Sequence, residues 1–200
     1  RLFPGAVFGE KPYEFTTNRE AFLDSTAYLA SLKLDFDLAA GTLSSVTAYN
    51  ETDAYYTQDA DASNLDLLYY GLNERQEDFS QELIFSSHKQ GRFSAVGGLF
   101  YYRADGRYDP LDVLGAFAGP VPVYVWSKQV TDAYAVFGEL TWDVTERLSA
   151  VGGARYSDEK RTAYGTFQFG QGPQPSMPRI GEKSWDSFTP RVALRYRLPQ

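Results

Sequence analysis

The sequence has no cysteine, a single histidine and a single methionine among 200 residues. Without cysteine there is no disulfide framework, no thiolate nucleophile and no sulfur-based metal site. A Ser–His hydrolase or a histidine metal centre would have to be built on His88 alone. His88 sits beside Lys89 in a short turn segment, where a solvated turn residue is the better reading. No catalytic residues, no resident metal and no cofactor are therefore expected, and the chain does not read as an enzyme. Long apolar runs are missing as well. Mean hydropathy is −0.40, and no run approaches the roughly 20 residues that a membrane helix needs. That excludes a helical membrane protein but not a β-barrel, whose alternating strands average out in hydropathy. Cations are outnumbered, 19 against 26 acids for a net charge of −7, which argues against a nucleic-acid partner. No leader opens the chain: Arg1-Leu2-Phe3-Pro4-Gly5 looks like a loop, so an exported protein would have lost its signal or would begin upstream.

What the chain has in excess is aromatic residues, 16% of the total with 15 Tyr and 14 Phe. Aromatic side chains favour strands and collect at membrane–water interfaces. Apolar and polar residues alternate with period two, the mark of strands with two unlike faces. Tyr28, Ala30, Leu32, Leu34 and Phe36 oppose Leu29, Ser31, Lys33, Asp35 and Asp37. The clearest case is residues 186–198, where Phe188, Pro190, Val192, Leu194 and Tyr196 oppose Ser187, Thr189, Arg191, Ala193 and Arg195. Similar alternation predicts strands near 42–54, 79–86, 92–103, 134–142 and 148–157, seven in all. In 79–86 Gln81 and Ile84 stand on the unexpected faces, and in 148–157 Val151 does.

Connections alternate in length. Short ones fall at 37–41, 88–91 and 144–147; long ones span about 57–74, 105–127 and 164–184. Short turns at one end and long loops at the other are typical of outer-membrane barrels, whereas a soluble sandwich has short connections at both ends. Bulky residues also recur eight positions apart on the apolar faces: Phe36/Tyr28, Phe93/Tyr101, Trp142/Tyr134, Leu148/Tyr156 and Tyr196/Phe188. Eight residues rise ~26 Å along a strand, or ~20 Å once tilted by ~40°, close to the ~25 Å apolar band of a membrane barrel. The expected fold is all-β, an antiparallel up-and-down transmembrane β-barrel section. The alternative is a soluble or secreted β-sandwich whose aromatic-rich loops bind glycans.

Several segments carry a family resemblance. They are Gly41–Tyr49 (GTLSSVTAY), Phe79–Leu83 (FSQEL), Val96–Tyr102 (VGGLFYY), Asp132–Trp142 (DAYAVFGELTW), Val144–Tyr156 (VTERLSAVGGARY) and Phe188–Tyr196 (FTPRVALRY). Their content, order and spacing resemble the barrel of TonB-dependent receptors, the proton-motive-force-coupled transporters of Gram-negative outer membranes. The resemblance covers about residues 27–198. It implies a 22-stranded barrel closed around an N-terminal plug. It also implies an iron–siderophore complex or similar scarce nutrient as ligand, and a TonB energy-transducing partner acting through the plug. Neither plug nor TonB box has a counterpart here. Seven strands is odd while single-chain bacterial barrels are even, so residues 1–200 read as part of one barrel domain that is not transport-competent alone. Residues 1–26 read as an extracellular loop.

Candidate ligand-binding residues follow from face and position. Arg155, Arg191, Arg195 and Arg197 fall on the polar faces of neighbouring strands, which in a barrel line the lumen. They could meet an anionic ligand or a plug, or pair with Glu82, Asp143 or Asp186. Tyr55, Tyr56, Tyr101 and Tyr102, with Tyr69 and Tyr70, flank the expected long loops. They could stack on a ligand or form an aromatic girdle. Residues 59–66 space oxygens rather like a calcium loop but lack its glycine and its bidentate glutamate, so an acidic loop is expected instead.

Overall fold

Residues 3–198 are described by a computed structural model. They form seven strands: β1 (Phe22–Leu38), β2 (Gly41–Asp59), β3 (Tyr69–Ser87), β4 (Phe93–Leu114), β5 (Val123–Asp143), β6 (Leu148–Phe169) and β7 (Arg179–Tyr196). A single 3-10 turn, Ala116–Ala118, interrupts the β4–β5 connection. Every strand pairs antiparallel with its sequence neighbour, giving one open sheet in the order β1 to β7. With all strands in one sheet, no second sheet is present among the described residues to make the sandwich alternative. The up-and-down barrel topology stands.

Register gives the sheet two unlike faces, because directly paired residues point to the same side. Near the short turns Phe36, Leu43, Phe85, Phe93, Trp142, Leu148 and Tyr196 form one row across the outer face. A second row, Tyr28, Tyr49, Phe79, Tyr101, Tyr134, Tyr156 and Phe188, lies toward the long connections. Between the rows stand Leu32, Leu34, Leu83, Leu99, Val136, Leu140, Val192 and Leu194, all pointing out; Val192 is 85% exposed. Neighbouring rings touch, with Tyr101 and Tyr134 centroids 4.9 Å apart and Phe93 stacked on Trp142 at 6.2 Å. This is an apolar band between two aromatic girdles, and the five residue pairs expected to frame it all do so.

The two misfits of β3 have a physical explanation. Gln81 does point outward, but its Oε1 accepts from the Thr47 hydroxyl at 2.6 Å and its Nε2 donates to Ser45 Oγ at 3.0 Å. An amide in an apolar medium needs its partners supplied by the protein, and β2 presents both hydroxyls on the same face. Ile84 points inward, as does Val151, which is buried.

The strands run far beyond the long-connection girdle. They are 17 to 22 residues long, so the unpaired connections shrink to 60–68, 115–122 and 170–178. The expected long loops were mostly strand. Above the girdle both faces are polar, so period-two hydrophobicity vanishes while backbone pairing continues. The outer face there carries cross-strand ion pairs, Arg75 with Glu51 (2.6 Å), Arg103 with Asp132 (2.8 Å), Lys128 with Asp105 (2.6 Å) and Lys160 with Glu182 (3.1 Å), and Arg75 also meets Glu77 of its own strand at 2.9 Å. Residues 3–21 precede β1, which begins at Phe22 within the range expected to be loop.

The face assignment has a direct test. Val192 is midway between the girdles, so Val192→Arg places a cation at the centre of the band and costs roughly 2–4 kcal/mol in a bilayer. Arg195→Leu, on the inner face, costs little. Heat-resistant migration and denaturant unfolding of the membrane-inserted protein measure both; equal losses would reverse the faces.

Candidate functional site

The inner face is polar and carries its charge in a few defined positions. Glu139, Gly153 and Arg191 make one cross-strand row over β5, β6 and β7. Gly153 has no side chain, so Arg191 reaches across it and Nη1 meets Glu139 Oε2 at 2.9 Å. A Cβ at Gly153 would lie 2.8 Å from the Gly138 carbonyl oxygen and 3.2 Å from Glu139 Cβ. Arg191 is therefore paired, though not with Glu82, Asp143 or Asp186. Asp186 lies opposite Asp158 on the outer face and cannot reach the inner arginines. Asp143 is held by Lys89 and by Ser149, whose Oγ donates to it at 2.6 Å.

Arg155 is different. Its guanidinium lies 5.8 Å from the centroids of both Phe100 and Phe137, and Nε donates to Ser157 Oγ at 3.0 Å. No carboxylate pairs with it among the described residues. The Phe137 ring is pressed over Gly98, where a Cβ would come within 2.7 Å of Cζ and 2.5 Å of the Leu83 carbonyl oxygen. Gly98 thus makes room for the aromatic floor on which Arg155 rests. Phe100, Phe137 and Glu139 were not singled out in the sequence. The available signal was parity: each is an apolar or acidic residue on the polar face of a strand.

The tyrosines divide. Tyr101 belongs to the outer girdle, and β4 continues to Leu114, so it does not flank a loop. Tyr102 points inward, with its hydroxyl donating to Asp78 Oδ1 at 3.0 Å; Asn50 and Gln76 amides also donate to Asp78. Tyr55 is on the outer face beside Phe22, ring centroids 6.3 Å apart. Tyr56 faces inward near the end of β2 and, with Phe15 and Leu23, lines an open cavity of about 1020 Å³. Arg195 stands on the inner face at the short-turn end, in the row Asp143–Ser149–Arg195. Arg155 and Arg191 are thus neighbours on one wall, while Tyr56 and Arg195 lie at opposite ends of it.

The loop 60–68 is built rather than slack. Asp61 accepts from the Ser63 hydroxyl (2.6 Å) and from the N–H groups of Ser63, Leu67 (3.1 Å) and Leu68 (2.9 Å). Residues 17–19 are fastened beside it. Thr17 and the Asn18 N–H donate to Asp59, and Arg19 makes two bonds to Asp66 at 3.0 and 2.7 Å while lying over the Tyr69 ring. Asp59, Asp61 and Asp66 thus all accept from protein donors. Burial pushes the Asp61 carboxyl up, but the bonds from Ser63, Leu68 and Leu67 outweigh it and hold the group below its usual value.

A single sheet with an outward apolar band and an inward charged wall defines the wall of a transmembrane β-barrel. The chain belongs to the TonB dependent receptor-like, beta-barrel family, whose model matches residues 3–200. Among solved structures it is similar to the ferric yersiniabactin uptake receptor FyuA from Yersinia pestis, with a TM-score of 0.74 at 16% identity. The match covers 90% of this chain and 27% of that one, and at that identity it speaks for the fold alone. No curated protein matches the sequence.

Two outcomes are expected. Gly98→Ala and Gly153→Ala each destabilise the barrel by about 1–3 kcal/mol through overpacking, whereas Gly152→Ala, whose Cβ would meet nothing within 4 Å, is neutral; urea unfolding in detergent separates them. A depressed Asp61 pKa contributes loop stability above the unfolded value of about 3.9 and loses it as pH falls through the folded value. Hydrogen exchange at the Leu67 and Leu68 amides, corrected for intrinsic rate, should therefore accelerate on acidification. Asp61→Ala should show the fast rate already at neutral pH.

Proposed function

We propose that this chain is barrel wall of a TonB-dependent active transporter in the outer membrane of a Gram-negative bacterium. Its ligand is an iron–siderophore complex or a similarly scarce nutrient. The observation that carries the reading is the opposition of the two faces: a girdled apolar band meets outer-membrane lipid, and the wall behind it presents Arg155 and Arg191 to a lumen. Family membership supports transport and an energised TonB partner acting through a plug. The long-connection end, including residues 3–21, faces outside the cell, and the short turns face the periplasm. Residues 1–200 form one barrel domain with further strands and the plug supplied elsewhere. With β1 and β7 each paired on one side only, this section alone does not transport.

The wall sorts the candidate residues by role. Arg155 on its aromatic floor is a cation of the wall without an ion pair among the described residues, and it meets an anionic group on the ligand or the plug. Tyr102, fixed by Asp78, and Tyr56 offer inward aromatic surface above it. Arg191 positions Glu139, and Arg195 serves the short-turn mouth. Tyr55 and Tyr101 contact the surroundings of the barrel rather than its cargo.

The reading is tested in intact cells by uptake of labelled ferric chelates with and without a proton-motive-force uncoupler. Uptake should be saturable and uncoupler-sensitive. Arg155→Ala should weaken ligand or plug engagement about tenfold or more, the scale of a lost charge-assisted hydrogen bond. Tyr101→Ala should leave affinity unchanged. Uncoupler-insensitive uptake would sink the transport reading, and a silent Arg155→Ala would sink the site.

A further inference from the structure

The short-turn end of the inner face holds a charge pattern that ligand capture at the far end does not use. Arg195 stands there beside Ser149 and Asp143 in one cross-strand row. The turns add Lys89, Arg92 and Arg147, and Arg197 follows β7; together they line a cleft of about 380 Å³. Five cations share this cleft with two carboxylates, Asp143 and Glu146, a local charge of +3 on a chain of net charge −7. Asp143 is already engaged by Lys89 and Ser149. Arg92 uses one N–H on the Val144 carbonyl at 3.1 Å. Arg147, Arg195 and Arg197 form no ion pair among the described residues.

The frame around these cations is fixed. Thr145 Oγ1 accepts the N–H groups of Arg147 (3.2 Å) and Leu148 (3.0 Å), closing the β5–β6 turn. The Arg197 N–H donates to the Arg147 carbonyl and the Asp143 N–H to the Arg92 carbonyl, both at 2.8 Å. Strand ends and turns are thus tied together into one rim by the backbone beneath these cations. Such preorganisation lowers the entropy cost of binding. Like charges held this close repel, and an incoming anion relieves them.

We propose that this rim is a docking site for an acidic peptide segment entering the barrel mouth from the short-turn side. Its carboxylates would accept paired N–H donors from Arg195 and Arg197, the geometry guanidinium groups favour. Placement selects a peptide over a phospholipid headgroup. Arg195 belongs to the inner face, whereas lipid meets the outer row of Phe93, Trp142, Leu148 and Tyr196. The inference rests on the inner face being a lumen.

The test uses the intact transporter folded in detergent, with a fluorescent peptide of alternating Glu and Gly and a Gln–Gly control. Anisotropy should show binding of the acidic peptide alone, weakening steeply with salt. The Arg195→Gln, Arg197→Gln pair should bind about tenfold more weakly, and the Lys pair, which keeps the charge, should lose less. Equal binding by wild type and the Gln pair overturns the proposal. So does a Gln pair that keeps the peptide but retains less phosphatidylglycerol in native mass spectrometry, which would make the rim a lipid site. Heat-modifiable migration of the same samples is the control on the lumen: if wild type lacks it, the barrel reading fails and the proposal falls with it. If migration is normal and peptide binding is insensitive to both variants, only the docking site fails.

Discussion

The continuous backbone ladder is the constraint on which the rest depends. In an apolar medium an unpaired N–H or C=O costs several kcal/mol, so a chain crossing it by strands must pair every residue of the crossing with a neighbour. β2 through β6 do this on both sides, and β1 and β7 on one, without a break from the short turns to well past the far girdle; the register shifts, near Leu72/Glu74, Tyr108/Leu111 and Ala163/Tyr164, all lie beyond the second aromatic row. Once the ladder is unbroken, parity is fixed across all strands. One apolar face and one polar face then follow, since a slip of one residue would invert a whole strand. Gln81 shows how strictly the rule is kept. The single amide that parity turns outward within the band is supplied with its partners by Ser45 and Thr47 of the next strand.

The same parity explains the paired glycines, whose meaning the sequence left open. In Gly97-Gly98 and Gly152-Gly153 the first member faces out and the second faces in. The outward ones differ: nothing meets a Cβ at Gly152, whereas at Gly97 it would press on the Phe137 carbonyl oxygen at 3.3 Å. The inward ones are steric necessities. Gly98 accommodates the Phe137 ring, and Gly153 opens the gap through which Arg191 reaches Glu139. The charged wall is therefore shaped by absent side chains as much as by present ones.

The band was legible because lipid on one side and a polar lumen on the other stamp period two onto the residues; Phe36/Tyr28 and Tyr196/Phe188 mark its edges unaided. Beyond Tyr134 and Tyr156 water bathes both faces, the stamp disappears, and residues 105–114 and 123–127 passed for loop although they lie within β4 and β5. Face assignment also limited the site. Arg155, Arg191 and Arg195 were placed correctly by alternation, but their partners were not. Asp186 looked close in sequence and lies on the opposite face, while Glu139 became a partner only through the glycine between. Tyr101 and Tyr102 were adjacent in sequence and so were given one role, yet adjacency in a strand means opposite sides.

Charge along the strands follows the medium at each height. Above the girdle, carboxylates and cations share water, and Arg75 alone touches Glu51, Asp53 and Glu77. Such exposed pairs contribute little individually; their effect is to keep the extended strands hydrated and separate from lipid. Within the band the inner wall is walled off from lipid by the sheet itself, and there each cation needs a counter-charge or a polarisable surface. Arg191 has the first in Glu139. Arg155 has only the second, two aromatic rings at 5.8 Å, a cation–π attraction of about 0.5–1 kcal/mol at an exposed site. Arg155 is exposed and keeps its guanidinium free of any ion pair among the described residues, whereas Arg191 is already committed to Glu139; that difference is why the proposed contact with cargo or plug is assigned to Arg155.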